Sequence, residues 1–165
     1  MKPIVIISPW SRPNRNGTRN AKNYHQWQVV SSLLAKDVDV IQVGVQGEQK
    51  LEGCEQKFDL TLRELRALQE SAAAWASVDN FYPHFVASEL GPKHPGVVIW
   101  GRSDPSIFGY PWNVNLLLDA KNLRPNQYEW WESEPHDPGV FVPPNVVVVS
   151  VMKLIEGVPR AAGEA

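Results

Sequence analysis

With 165 residues, 43% hydrophobic and 21% charged, the chain has the length for one ordinary core and the composition of a globular domain, which excludes a disordered polypeptide. A formal net charge of −2 excludes the global positive field that draws a protein to nucleic acid or to an acidic membrane. Cys54 is the single cysteine, so an internal disulfide framework is excluded, a thiolate metal centre is unsupported, and a reducing, cytoplasmic setting is expected.

The chain opens on "MKPIVIISPW". Its apolar run of about six residues is shorter than the ~7–15 of a signal-peptide core, and it reads as a first strand. Val5, Ile6 and Ile7 are continuous in the manner of strands buried on both faces. "YHQWQVVSSLLAK" (24–36) predicts a helix, with Trp27, Val30, Leu33 and Leu34 at helical spacing, and "VDVIQVGV" (38–45) predicts a strand. Beyond a loop around Gly47 and Gly53, "TLRELRALQES" (61–71) has Thr61 and Glu64 in capping-box spacing ahead of Leu62, Leu65 and Leu68. A short strand over 73–78, a helix beginning near Pro83 and a buried strand over 96–100 follow.

"GRSDPSIFGYPW" (101–112) is a turn-rich loop, and "VNLLL" (114–118) is a candidate fifth strand. The segment "RPNQYEWWESEPHDPG" (124–139) reads as irregular. In "NVVVVSVMKLI" (145–155) four valines favour a strand, whereas Pro143, Pro144 and Asn145 ahead of them favour a helix start, and a helix is expected. Residues 1–156 are expected to form one domain and 157–165 a frayed tail. Alternating strands and helices predict an α/β fold with a mostly parallel sheet, and no stretch approaches the ~20 apolar residues of a transmembrane helix.

Positive charge is concentrated in "SRPNRNGTRNAKNYHQW" (11–27), which holds Arg12, Arg15, Arg19 and Lys22 without an acid. In an open α/β sheet, ligands bind beyond the carboxyl ends of the strands, where the loop after the first strand lies. The cations, Ser11, Thr18 and the asparagines suit a di- or polyphosphate, and Gly17 permits close backbone approach. A basic loop alone reads equally well as a solvated surface, and this one lacks both the GxGxxG and the GxxxxGK[ST] patterns.

"SVDNFYPHF" (77–85) places Asp79 at a strand end and His84 in a first helical turn at the same rim. Taken alone, Asp79 reads as a helix cap and His84 as structural. After the next strand, Arg102, Ser103 and Asp104 join that rim. Three polar loops, each following a strand, are harder to obtain by accident than any one of them.

The order of these pieces resembles the C-terminal, donor-binding half of the family 9 glycosyltransferases, the heptosyltransferase-like enzymes of the GT-B fold. The resemblance runs over roughly residues 3–118. It is carried by "IISPWSRPNRNGTRNAKNYHQW" with Lys22 ahead of Trp27, by "VIQVGVQGEQKLEG", by "LTLRELRALQES", by "DNFYPH" as a partial match to D-[S/T]-G-x-x-H, and by "VIWGRSDPSIFGY". It implies a single Rossmann-like domain whose ligand is a nucleotide-diphosphate sugar, a donor substrate rather than a cofactor. Ser11, Thr18 and Lys22 would hold the diphosphate, Glu48 would approach the nucleoside, and Asp79 and His84 would line the phosphate and sugar site as candidate catalytic groups. Arg15, Asn80, Arg102, Ser103 and Asp104 complete the expected nucleotide- and phosphate-binding set. Asn80 and Phe81 depart from the family's Ser/Thr and Gly. By the same resemblance the chain starts at the donor domain, so Asp79 or His84 would act without an opposing domain, or a second chain, as a homodimer or partner, would supply that wall.

Of the seven tryptophans, Trp27, Trp75 and Trp100 are expected in the core. Trp10, Trp112, Trp130 and Trp131 fall near loops, where the "YEWWE" pair reads as a packed cover or a subunit interface. Glu132, Glu134, His136 and Asp137 cluster in "ESEPHDP" but fit no metal-ligand spacing, so no metal is expected. Two functions remain: a glycosyltransferase acting on a nucleotide-diphosphate sugar, and a non-catalytic module that binds nucleotides or nucleotide sugars for sequestering or sensing.

Overall fold

Val5, Ile6 and Ile7 are fully buried, and they belong to the strand around which everything else is arranged. In the computed structural model, which describes residues 1–128 and 134–157, strand β1 (Ile4–Ser8) lies inside a six-stranded sheet. The chain continues through α1 (Trp27–Leu34), β2 (Asp39–Gly44), β3 (Glu55–Phe58), α2 (Leu62–Ser71), β4 (Ala74–Val78) and α3 (Phe81–Glu89). It then forms β5 (Val97–Trp100), the one-turn α4 (Pro105–Phe108), β6 (Val114–Leu117) and α5 (Pro144–Gly157). The strand order is β3-β2-β1-β4-β5-β6 and every pairing is parallel, the Rossmann-like α/β arrangement expected from the alternating pattern.

Period-two alternation in the strands sends side chains to two separate cores. Val5 and Ile7 join Tyr24 and Trp27, with Val30 and Leu34 of α1 and Val147 and Val151 of α5, on one face. Ile6, Trp75, Val98 and Trp100 join Leu65 of α2 and Tyr82, Phe85 and Val86 of α3 on the other. Trp27, Trp75 and Trp100 are buried as expected. Each large aromatic of this kind buries about 150–250 Å² and dominates the packing around it.

Helix starts follow local chemistry. The Thr61–Glu64 capping box forms in full, with Thr61 N–H donating to Glu64 Oε2 at 2.8 Å. At α3 the cap is Asn80, whose side chain accepts from Tyr82 N–H at 2.9 Å, and Pro83 falls in the first turn where its missing N–H costs nothing. α5 is a helix despite its valines, and Val147 and Val151, one turn apart, are both fully buried. Tertiary burial outweighs strand propensity there. Gly157, the first residue of the expected tail, is the last of α5, and residues 158–165 lie outside the described residues.

Two differences from the sequence expectations are informative. α1 starts at Trp27 rather than near residue 24, because Tyr24 is buried below the helix with its hydroxyl donating to Val142 O at 2.9 Å. Burial pushes that phenol up to about 12. β3 was expected as loop; its sequence, "EQKF", has one apolar residue, and it pairs with β2 on one side only. An edge strand needs no apolar alternation on a solvated flank, so composition gives no sign of it.

Candidate functional site

The order in which strands are added reverses between β1 and β4: β2 and β3 extend one way from β1, and β4, β5 and β6 the other. Loops leaving the carboxyl ends of β1 and β4 therefore diverge and open a crevice, the place where ligands bind in sheets of this kind. The loop after β1 is residues 9–26, Asp79 and Asn80 follow β4, and Gly101, Arg102 and Ser103 follow β5.

The loop after β1 is held by its own amides. Ser11 N–H donates to Asn23 Oδ1 at 2.7 Å, Asn20 Nδ2 donates to Arg12 O at 2.9 Å, and Asn20 Oδ1 accepts from Lys22 N–H at 2.9 Å. Trp10 Nε1 donates to Gln49 O at 2.8 Å and Trp27 Nε1 to Pro9 O at 2.9 Å, fastening the loop's start to the loop after β2 and to α1. Asn14, Asn20 and Asn23 are buried, so these asparagines scaffold the loop rather than line it with ligand donors. Gly17 sits at φ +79° with nothing within 4 Å of a notional Cβ. It is required by the turn, not by a close approach.

Lys22 crosses the crevice. Its Nζ lies 2.8 Å from Asp79 Oδ2, in a pair whose side chains are 22% and 9% exposed. Ser11 Oγ donates to the backbone oxygen of Asp79 at 3.0 Å, and Asn80 Nδ2 reaches Ser8 O, Ser8 Oγ and Trp10 O at 3.1–3.2 Å. Because Asn80 takes the helix cap, the Asp79 carboxylate is left to meet the lysine.

Above this clamp is a small polar cavity lined by Ala21, Lys22, Asp79, Ile99, Gly101, Arg102, Ser103, Arg124 and Glu134. Its free volume is ≈ 10 Å³, about what one water requires. A Cβ on Gly101 would come within 2.8 Å of the Phe141 ring, so this glycine lets the chain turn toward Arg102 and Ser103 in close packing. Arg102 Nη2 stands 3.5 Å from Asp137 Oδ2.

The expected site residues thus separate. Lys22, Asp79, Arg102 and Ser103 line one cavity, with Ser11 and Asn80 bracing its floor. Arg15 and Thr18 are exposed on the loop, and Thr18 Oγ1 donates to Asn16 Oδ1 at 2.6 Å. Asp104 caps α4, accepting from Ser106 N–H at 2.8 Å. His84 is exposed, with Nδ1 3.0 Å from Tyr110 Oη, and is not among the cavity's lining residues.

Glu48 lies over the carboxyl end of β2, where a Cβ on Gly44 would run into its carboxylate. Burial pushes its carboxyl up, opposed by a hydrogen bond from the Val45 backbone and reinforced by Asp59. Acidic groups at this position of Rossmann-like folds hold ribose hydroxyls.

Arg124 and Glu134 were missed by sequence reasoning as members of the site. Arg124 opens a segment that reads as irregular, and Glu134 was weighed only as a metal ligand. An arginine between a leucine and a proline carries no local pattern that would single it out. Among the described residues no group of three or more His, Cys, Asp or Glu is placed to hold a metal ion. Glu132, Trp130 and Trp131 lie outside the described residues. His136 Nε2 contacts Asn23 O at 2.8 Å, tying its segment to the basic loop. No helix among the described residues is long and apolar enough to cross a membrane.

No protein-family model matches the chain, and no curated protein matches it in sequence. Solved structures do match its fold. Escherichia coli heptosyltransferase WaaC with ADP is 15% identical at a TM-score of 0.60, over 93% of this chain and 44% of that one. E. coli ADP-heptose lipopolysaccharide heptosyltransferase II is 16% identical at a TM-score of 0.61, over 94% and 47%. The dodecameric, iron-containing heptosyltransferase TibC, solved with ADP-D-β-D-heptose, is 14% identical at 0.56, over 94% and 44%. The chain spans less than half the length of each of these proteins. The resemblance drawn from its motifs therefore holds at the level of the fold: the chain shares a Rossmann-like α/β fold with part of each of these heptosyltransferases.

Proposed function

We propose that this domain binds the diphosphate of a nucleotide sugar at the carboxyl edge between β1 and β4, as the donor half of a glycosyltransferase. The observation that carries the reading is the convergence of Lys22, Asp79, Arg102 and Ser103, from the loops after three neighbouring strands, on one cavity at the switch point. The cations would neutralise phosphate oxygens, Ser103 would add a hydroxyl, and Glu48 at the end of β2 would take the nucleoside. Asp79 would orient Lys22 and the bound sugar phosphate.

Transfer of the sugar needs a base for the acceptor hydroxyl. Asp79 is committed to Lys22 and His84 to Tyr110, so an acceptor wall from another domain or chain is part of the proposal. The same pairings favour the second reading, a module that binds the nucleotide without turnover. Titration calorimetry with ADP, UDP and their sugars, alongside nucleotide release with candidate acceptors, separates them. Binding with release supports the transferase, binding without release supports the module, and absence of binding rejects both.

A further inference from the structure

We propose that Arg124 and Arg102 form an oxyanion subsite at the back of this cavity, which the chain's own Glu134 carboxylate covers and which a phosphate group takes by displacing it. This rests on the reading of the β1–β4 edge as a phosphate site, but it adds residues and a displacement step that the fold alone does not imply.

Arg124 is buried, its side chain 5% exposed, and its position is fixed through the backbone. Its N–H donates to Arg102 O at 3.0 Å, and Gln127 Nε2 donates to both Arg102 O and Arg124 O at 3.0 Å. Its Nη2 donates to Gln127 O at 3.1 Å and stands 3.5 Å from Ser103 Oγ. Yet Nε and Nη1 of Arg124, and Nε of Arg102, have no hydrogen-bond partner among the described residues. Buried guanidinium donors without acceptors are rare and unfavourable, so three in adjacent residues that line one cavity mark a place for an acceptor with several oxygens.

Glu134 answers that demand poorly. Its Oε1 is 3.9 Å from Arg124 Nε, too far for a hydrogen bond. Burial raises its carboxyl despite the opposing pull of Arg124 and Arg102. Asp137 is held differently: Oδ1 accepts from Gly139 N–H at 2.8 Å while Oδ2 faces Arg102. Glu134 is therefore the acid that can leave. With it seated, the cavity admits about one water, and a phosphate does not fit. With it withdrawn, Lys22, Arg102 and Arg124, which all line the cavity, outnumber its remaining acid, Asp79, and a tetrahedral anion can take the place of the carboxylate.

The test is titration calorimetry with inorganic pyrophosphate and, separately, ADP, at one fixed salt concentration. The deciding variants are Glu134→Gln and Arg102→Gln, whose side chains are more open than that of Arg124 and whose folding is checked by thermal melts. Glu134→Gln is expected to tighten pyrophosphate about fivefold or more, the lower range for a coupling between two sites. Arg102→Gln is expected to weaken it about tenfold, as for a lost charge-assisted hydrogen bond. Pyrophosphate affinity unchanged in both variants overturns the inference. ADP binding that Lys22→Ala weakens but neither variant alters overturns it while leaving the nucleotide reading intact. Pyrophosphate binding that responds to Glu134 without any ADP binding supports the subsite and rejects the nucleotide.

Discussion

Lys22 Nζ and Asp79 Oδ2 meet at 2.8 Å across the crevice between the loops after β1 and β4, joining the last cation of the basic loop to the first residue beyond β4. That pair sets the character of the edge. A cation held by a largely buried carboxylate is fixed in place, and an ammonium has three donors, so holding Asp79 does not by itself exclude a phosphate contact.

Lys22→Ala removes the counter-charge of Asp79. Unfolding in urea is expected to show a loss of about 1–3 kcal/mol, below the figure for a fully buried pair because Lys22 is partly solvated. The same change is expected to weaken ADP binding by about 1.5–3 kcal/mol. Unaltered ADP affinity would take Lys22 out of the site. Asp79→Asn in the Lys22→Ala background should recover part of the lost stability.

Asn80→Ala tests how the rim is braced. It removes the α3 cap and the contacts to Ser8 and Trp10 together. A loss of about 1–3 kcal/mol is expected in denaturant melts. A loss of only a few tenths would mean that the loop after β1 is held elsewhere.

His84→Ala addresses the outlying member of the expected catalytic pair. With an exposed imidazole contacting Tyr110, the substitution is expected to change stability by no more than about 0.5 kcal/mol. ADP affinity is expected to stay the same. A marked drop in sugar-nucleotide affinity would return His84 to the site.

Glu48 provides a pH test. Its carboxyl is raised in the folded protein, so folding favours the protonated form, and stability falls as pH rises from the ordinary glutamate value through the raised one. Glu48→Gln should therefore stabilise the protein at pH 7 and lose that advantage well below the ordinary glutamate value, at about pH 3, where the carboxyl is protonated in both states. Equal stabilisation at both pH values would show that the effect is not protonation. Gly44→Ala should push the Glu48 carboxylate off the end of β2 with little change in folding, because only the tip of a flexible side chain has to move.

Much of the fold was legible because β1 and β5, buried on both faces, are unbroken apolar runs, "IVII" and "VVIW", and because Thr61 and Glu64 announce a helix start. β3 was illegible because an edge strand needs no such run. At the site, the rim was readable from polar loops following strands, and four of its residues do line one cavity. Which loop residue turns inward was not: Lys22 does, while Arg12, Arg15 and Arg19 lie exposed, since a network of asparagine contacts decides it. Arg124 was unreadable because its role comes from packing beside Arg102, some twenty residues away in sequence, through Gln127.

The most direct measurement is a crystal structure of the protein soaked with ADP. The account predicts the β-phosphate within hydrogen-bond distance of Lys22 Nζ and Arg102, with the ribose toward Glu48. A nucleotide bound at another face of the sheet, or a cavity that stays closed at saturating ADP, would contradict it.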